Sequence, residues 1–216
     1  MNKALLWDMD GVLADSGDAH FAAWQSMFQE LGRSITRQEF DDTFGMANGA
    51  ILRRWLGDGL SAERSAALAR RKEELFREHL DRVHLLPGVR DWLEYATAHG
   101  YYQVVASSGE MANVVAVVHT LGVGNHFHSL LSGAFLPQSK PHPAIFLQAA
   151  AAVAAEPRHC LVLEDGVVGV EAARRAGMRC LALTTTHPAD RLLGADRIVA
   201  SLAELPPTTL DELLSD

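Results

Sequence analysis

Short apolar runs alternating with longer stretches of helical periodicity constrain this chain more than any other feature. Residues 4–7, 102–106, 160–163, 179–183 and 197–200 are mostly apolar or β-branched and bounded by Gly, Ser, Asp or Thr. Between them, residues 89–99, 110–121, 143–155 and 167–176 space their apolar positions as a helix does. Strands that are apolar throughout cannot present one face to water. They belong in a parallel sheet covered on both sides, which makes this an α/β chain with a doubly wound, Rossmann-like core.

One region breaks the rhythm. From residue 16 to residue 83 no strand candidate occurs, and residues 19–31, 49–56 and 62–80 read as amphipathic helices, the last opened by Ser61 as N-cap. The expected organisation is a core of residues 1–15 and 84–216 with an all-α cap, 16–83, inserted after the first strand. The two ends of such an insertion have to lie close together.

Composition narrows the function classes. A net charge of −8 over 216 residues argues against a nucleic-acid partner, whose phosphates demand a concentrated basic surface. It leaves a small phosphorylated ligand open, because a few local cations can reverse the field inside one cleft. No apolar run approaches the ~20 residues that span a bilayer, so no membrane partner is expected. Cys160 and Cys180 lie in apolar runs without metal-ligand spacing and read as reduced core thiols. Met1–Asn2–Lys3 reaches Asp8 too soon for a signal peptide. The expectation is a cytoplasmic protein, taken as a monomer.

The residues that carry chemistry cluster at the ends of the apolar runs. Asp8–Met9–Asp10–Gly11 closes the first; two acids at i and i+2 fall on one side of an extended chain and repel unless a cation or a proton is shared. Alone, the pair serves equally as a turn with an Asx cap. Ser107–Ser108 ends the second run and could equally cap the following helix. Lys140 lies between Ser139 and Pro141 in a loop stiffened by Pro141 and Pro143, and Glu164–Asp165–Gly166 ends the run before residue 167.

In that order and at those separations, Asp8–Met9–Asp10–Gly11–Val12, Ser107, Lys140–Pro141 and Glu164–Asp165 resemble the four motifs of the haloacid dehalogenase-like superfamily. The run from Glu164 through Gly169 to Met178 is similar to its phosphatase branch, and the insertion resembles an α-helical C1 cap. The resemblance implies Asp8 as nucleophile forming an aspartyl-phosphate and Asp10 as general acid and base. It implies Mg2+ held by Asp8, the Asp10 carbonyl and Asp165, with Glu164 at or just beyond the metal. Lys140 and Ser107 would bind the phosphoryl group. Asp10 itself argues against the dehalogenase and phosphonate-cleaving branches, which need no acid there.

The cap carries a second resemblance. His20 and Trp24, with Lys72 later in the cap, are similar to the β-phosphoglucomutase-like branch, whose corresponding His and Lys face the active site. The arginine that binds a distal phosphate there is absent: Met46–Ala47–Asn48 follow Gly45, and Arg53 and Arg54 come later. Gly166 stands where the branch commonly has Ser, and Ser139 where it usually has Gly. The expected activity is therefore hydrolysis of a small phosphorylated metabolite, of the sugar-phosphate kind. A sugar phosphomutase is the alternative, and a silent relative that only binds phosphometabolites or a protein is a third reading.

Overall fold

The computed structural model describes residues 1–43 and 45–215. They form two compact units, Met1–Asp15 with His84–Asp216, and Ser16–Val83. Strand β1 (Asn2–Trp7) leads through the two-residue β2 (Ala14–Asp15) into four helices, α1 (Gly17–Glu30), α2 (Arg37–Asp41), α3 (Asn48–Leu56) and α4 (Ala62–Glu78). The chain returns at β3 (His84–Leu85) and then alternates: α5 (Val89–Ala98), β4 (Tyr102–Ser107), α6 (Met111–Thr120), β5 (Ser129–Ser132), α7 (Ala144–Ala152) and β6 (Ala155–Glu164). It closes with α8 (Val167–Arg175), β7 (Arg179–Leu183), β8 (Arg197–Val199) and α9 (Thr209–Leu213).

The six-stranded sheet runs β5-β4-β1-β6-β7-β8, and every neighbouring pair is parallel. Side chains alternate across it. Ala4, Leu6, Val104, Ala106, Cys160 and Val162 join Ile145 and Phe146 of α7 and Val170, Ala172 and Ala173 of α8 in one buried cluster. On the opposite face Trp7 donates its indole N–H to the fully buried Gln103 (3.1 Å), whose amide reaches the Leu93 carbonyl of α5 (3.0 Å). Both thiols are free and buried. Chain order reverses at β1: β4 and β5 lie to one side of it, β6 to β8 to the other. In open α/β sheets ligands bind at such a reversal, outside the carboxyl ends of the strands.

Asp15 of β2 pairs with His84 of β3, so the two crossings into the helical unit run side by side. Within that unit Trp24, Met27 and Phe28 of α1, Ile51 and Leu52 of α3, and Leu68, Leu75 and Phe76 of α4 are buried. Trp55 packs edge-on against Trp24 and Phe28, each at 5.3 Å between centroids. Ser61 accepts the Arg64 N–H and caps α4 as the sequence suggests.

Three elements differ from the sequence reading. The helix expected to reach Ala155 stops at Ala152, because Ala154 turns left-handed (φ 50°) and Ala155 already pairs with Asn2 at the start of β6. β5 was not expected; it is a four-residue edge strand with two apolar residues, too short for a clear alternation. α2 was not expected either, although Thr36 and Glu39 form a full capping box at its start. Among the described residues no helix is long and apolar enough to cross a membrane.

Candidate active site

The C-terminal ends of β1, β4 and β6 bring Asp8, Ser107, Glu164 and Asp165 to the same edge of the sheet, and the loop before α7 adds Lys140. Lys140 Nζ donates to Asp8 Oδ1 (2.5 Å), to Glu164 Oε1 (2.6 Å) and to the Ala106 carbonyl of β4 (3.4 Å). Its ammonium also lies 4.9 Å from the Phe146 ring centroid. The Lys140–Pro141 peptide is cis. This lysine is not the solvated loop residue that such a position usually holds: its side chain is only 6% exposed, against 13% for Asp8 and 3% for Glu164.

Glu164 uses both carboxylate oxygens. Oε1 meets Lys140, while Oε2 accepts the backbone N–H groups of Asp165 (2.9 Å) and Gly166 (2.8 Å) at the start of α8. Gly166 has no side chain to cap that helix, and the Glu164 carboxylate supplies the negative charge its N-terminus favours. A Cβ on Gly169 would overlap the same carboxylate, so glycine there is what lets Glu164 sit against the helix.

Asp10 does not continue the strand. β1 ends at Trp7, and the Met9 carbonyl then accepts from Leu13 (3.0 Å) and Ala14 (2.9 Å), curling residues 9–14 into a tight loop. The same-side argument for an extended i, i+2 pair therefore does not apply; the loop, not the pleat, orients Asp10. Gly11 takes φ 79°, and a Cβ there would overlap the Asp165 carboxylate.

Ser107 Oγ accepts the Gly109 N–H at 3.0 Å, which leaves its own proton to donate. It does not cap α6, whose N-cap is Glu110. Ser132 of β5 steadies this turn by donating to the Gly109 carbonyl (2.6 Å).

Electrostatics single out the same cluster. Burial is the main reason that the Asp8 carboxyl stands well above the usual carboxylate range. Lys140 pulls it down, while Glu164 and Asp165 push it further up. Burial and Glu164 push Asp165 up to about 7, and Asp10 adds to that. Burial alone would depress Lys140, but Asp8 and Glu164 outweigh it and hold the ammonium above its ordinary value. Lys140 thus pairs directly with two carboxylates, Asp8 and Glu164, while Asp165 and Asp10 add acidic charge beside them.

Two residues that the sequence reading passed over belong to this edge. Thr185 and Thr186 follow β7; Thr185 Oγ1 donates to the Gly11 carbonyl at 2.5 Å, and Thr186 Oγ1 donates to Asp165 Oδ2. The signal was present: hydroxyl residues where an apolar strand ends, as with Ser107 at the end of β4.

His20 and Lys72 meet each other inside the helical unit. Lys72 Nζ lies 2.8 Å from His20 Nδ1 and 3.0 Å from Glu73 Oε1, and Asn48 donates to that same Glu73 oxygen at 2.6 Å. His20 stacks on Phe76 with centroids 4.1 Å apart. Lys72 is buried and ion-paired rather than solvated. Trp24 is 1% exposed and belongs to the core of this unit.

Comparison with known proteins agrees with this architecture. The family model described as haloacid dehalogenase-like hydrolase matches residues 2–177. Hexitol phosphatase B of Escherichia coli strain K12 is 32% identical over 213 residues, 94% of this chain and 93% of that protein. Beta-phosphoglucomutase of Bacillus subtilis strain 168 is 28% identical over 219 residues, 97% of this chain and 94% of its own length. The crystal structure of CbbY from Rhodobacter sphaeroides in complex with phosphate superposes with a TM-score of 0.84 at 27% identity, covering 95% of this chain and 96% of that one. The chain belongs to the haloacid dehalogenase-like hydrolases.

Proposed function

We propose that this protein is a Mg2+-dependent phosphatase that hydrolyses a small phosphorylated metabolite of the sugar-phosphate class through an aspartyl-phosphate on Asp8. The observation that carries the reading is the buried Asp8 carboxylate held 2.5 Å from Lys140 at the switch point of the sheet. A carboxylate so placed has one oxygen steadied by a cation and the other available to attack phosphorus in line.

The residues suit a divalent cation. Among the described residues no group of three or more His, Cys, Asp and Glu side chains is arranged as a metal cage. Mg2+ does not require one; it keeps several waters and takes one or two carboxylates. Asp8, Asp165 and the Asp10 carbonyl are a hard-oxygen set of that kind. Burial first, and the neighbouring carboxylates after it, push Asp8 and Asp165 up, and a bound cation would oppose both effects. Bound there, Mg2+ would neutralise charge on the phosphoryl oxygens.

The chain's own residues supply the rest. Asp8 attacks the phosphoryl group, and Asp10 protonates the departing alkoxide and then takes a proton from the water that releases phosphate. Lys140 offsets charge on Asp8 and the transferring group, and the Ser107 hydroxyl donates to a phosphoryl oxygen. Glu164, with both oxygens engaged, fixes Lys140 instead of binding metal. His20 and Lys72 are assigned to substrate selection.

Hydrolysis is favoured over the mutase reading by one feature of the helical unit. The Lys72 ammonium is already paired with Glu73, so it is not a spare cation for a second phosphate. The hexitol phosphatase relative supports the same choice, and the beta-phosphoglucomutase relative keeps the mutase in the test. The test is 31P NMR of the protein with Mg2+ and a panel of sugar phosphates. The reading predicts free phosphate that disappears with EDTA and with Asp8→Asn. Isomerised phosphosugar without free phosphate would make it a mutase, and no turnover of any ester would revive the silent-binder reading.

A further inference from the structure

The short segment after β7 ties together two parts of the acidic edge that arise from different strands. Thr186 Oγ1 donates to Asp165 Oδ2, which follows β6, while Thr185 Oγ1 donates at 2.5 Å to the Gly11 carbonyl in the loop after β1. Thr185 also lies 3.3 Å from Asp165 Oδ2, and a Cβ on Gly11 would come within 3.1 Å of Thr186 Oγ1. Gly11, Asp165 and the two threonines form one packed junction. Asp165 Oδ2 is occupied within it, which leaves the other oxygen, Oδ1, as the one for a ligand. The peptide that carries the Asp10 carbonyl is held one residue away by the Thr185 contact.

We propose that Thr185 and Thr186 are positioning residues for the divalent cation, fixing the direction of the Asp165 carboxylate and of the Asp10 carbonyl before metal arrives; this rests on the Mg2+ reading above. Groups that orient a metal's ligands typically contribute 10–100-fold in affinity, because a ligand free to rotate must be ordered on binding. Neither threonine belongs to the buried core, so valine substitutions are compatible with the fold.

The test is direct metal binding, without substrate. Free Mn2+ counted by electron paramagnetic resonance, and Mg2+ titrated calorimetrically, are compared for the wild type, Thr185→Val, Thr186→Val, Thr186→Ser and Thr184→Val. The proposal expects Thr186→Val to bind about 10–100-fold more weakly. Thr185→Val should weaken binding in the same direction, Thr186→Ser should recover most of the loss, and Thr184→Val should match the wild type. Wild-type affinity in both Thr185→Val and Thr186→Val overturns this inference while leaving the Mg2+ reading intact. A wild-type protein that binds neither ion overturns both.

Discussion

Gly169 faces the Glu164 carboxylate so closely that no Cβ fits between them. In most helices Gly→Ala stabilises by roughly 0.5–1 kcal/mol, because alanine loses less backbone entropy. Here the sign reverses. Gly169→Ala has to move a buried carboxylate that holds both Lys140 and the start of α8, at a cost of about 1–3 kcal/mol typical of overpacking. Turnover falls with it, since Lys140 loses its second anchor. Thermal unfolding and kcat are the measurements, and a more stable Gly169→Ala would mean that Glu164 sits elsewhere.

Lys140→Met removes the only ammonium bonded to Asp8 and Glu164 among the described residues. Turnover is expected to drop by on the order of 10²–10³-fold, the scale for losing one preorganised charge partner. Lys140→Arg does not rescue it, because a planar guanidinium cannot occupy the pocket of a compact ammonium. The check is kcat at saturating substrate. Rates for both variants within a few-fold of wild type would remove Lys140 from the mechanism.

The Lys72–Glu73–Asn48 contacts give the helical unit a pH signature. Burial opposes ionisation of Glu73, but Lys72 and the Asn48 amide outweigh it and hold the carboxyl below its ordinary 4.5. A depressed folded value means the ionised form stabilises the fold above 4.5, and that contribution is lost as pH falls through the lower value. Glu73→Gln should therefore be less stable than wild type at pH 7 by about 1.5–3 kcal/mol, the range for a hydrogen bond to a charged group. The two unfolding midpoints should converge as the pH drops below 4.5. A constant gap across that range would show that charge on Glu73 is not what the contact supplies.

How much of this was legible beforehand varied with the physics. The doubly wound core was readable because strands covered on both faces are apolar throughout, as residues 160–163 and 180–183 are. Asp8 and Glu164–Asp165 stand out in the sequence because apolar runs end there, whereas Lys140 is marked only by its proline-stiffened loop. What could not be read was partnership. Nothing in the sequence around Lys140 says that its ammonium reaches 24 residues on to Glu164 and 132 back to Asp8. The loop after Asp8 is not legible in the sequence, because the Met9 carbonyl accepts from several amides, a backbone arrangement with no side-chain mark. β5 escaped because an edge strand of four residues needs little apolar patterning. Thr185 and Thr186 were readable in kind, as hydroxyls after a strand, but not in target.

The most direct test of the central claim is to trap the phosphorylated enzyme. Asp10→Asn removes the group assigned to protonating the leaving alkoxide and to activating water but leaves the Asp8 nucleophile, so the phosphoryl donor has to be one whose leaving group needs no proton, such as p-nitrophenyl phosphate. Incubated with Mg2+ and that ester, then quenched in acid and digested, the variant should yield a peptide containing Asp8 that carries one phosphoryl group. That group should be released by hydroxylamine, as an acyl phosphate is, and should be absent from Asp8→Asn/Asp10→Asn and from samples made with EDTA. Steady hydrolysis of that ester by the wild type with no phosphorylated peptide in Asp10→Asn, or a phosphoryl group on any residue other than Asp8, would contradict the account.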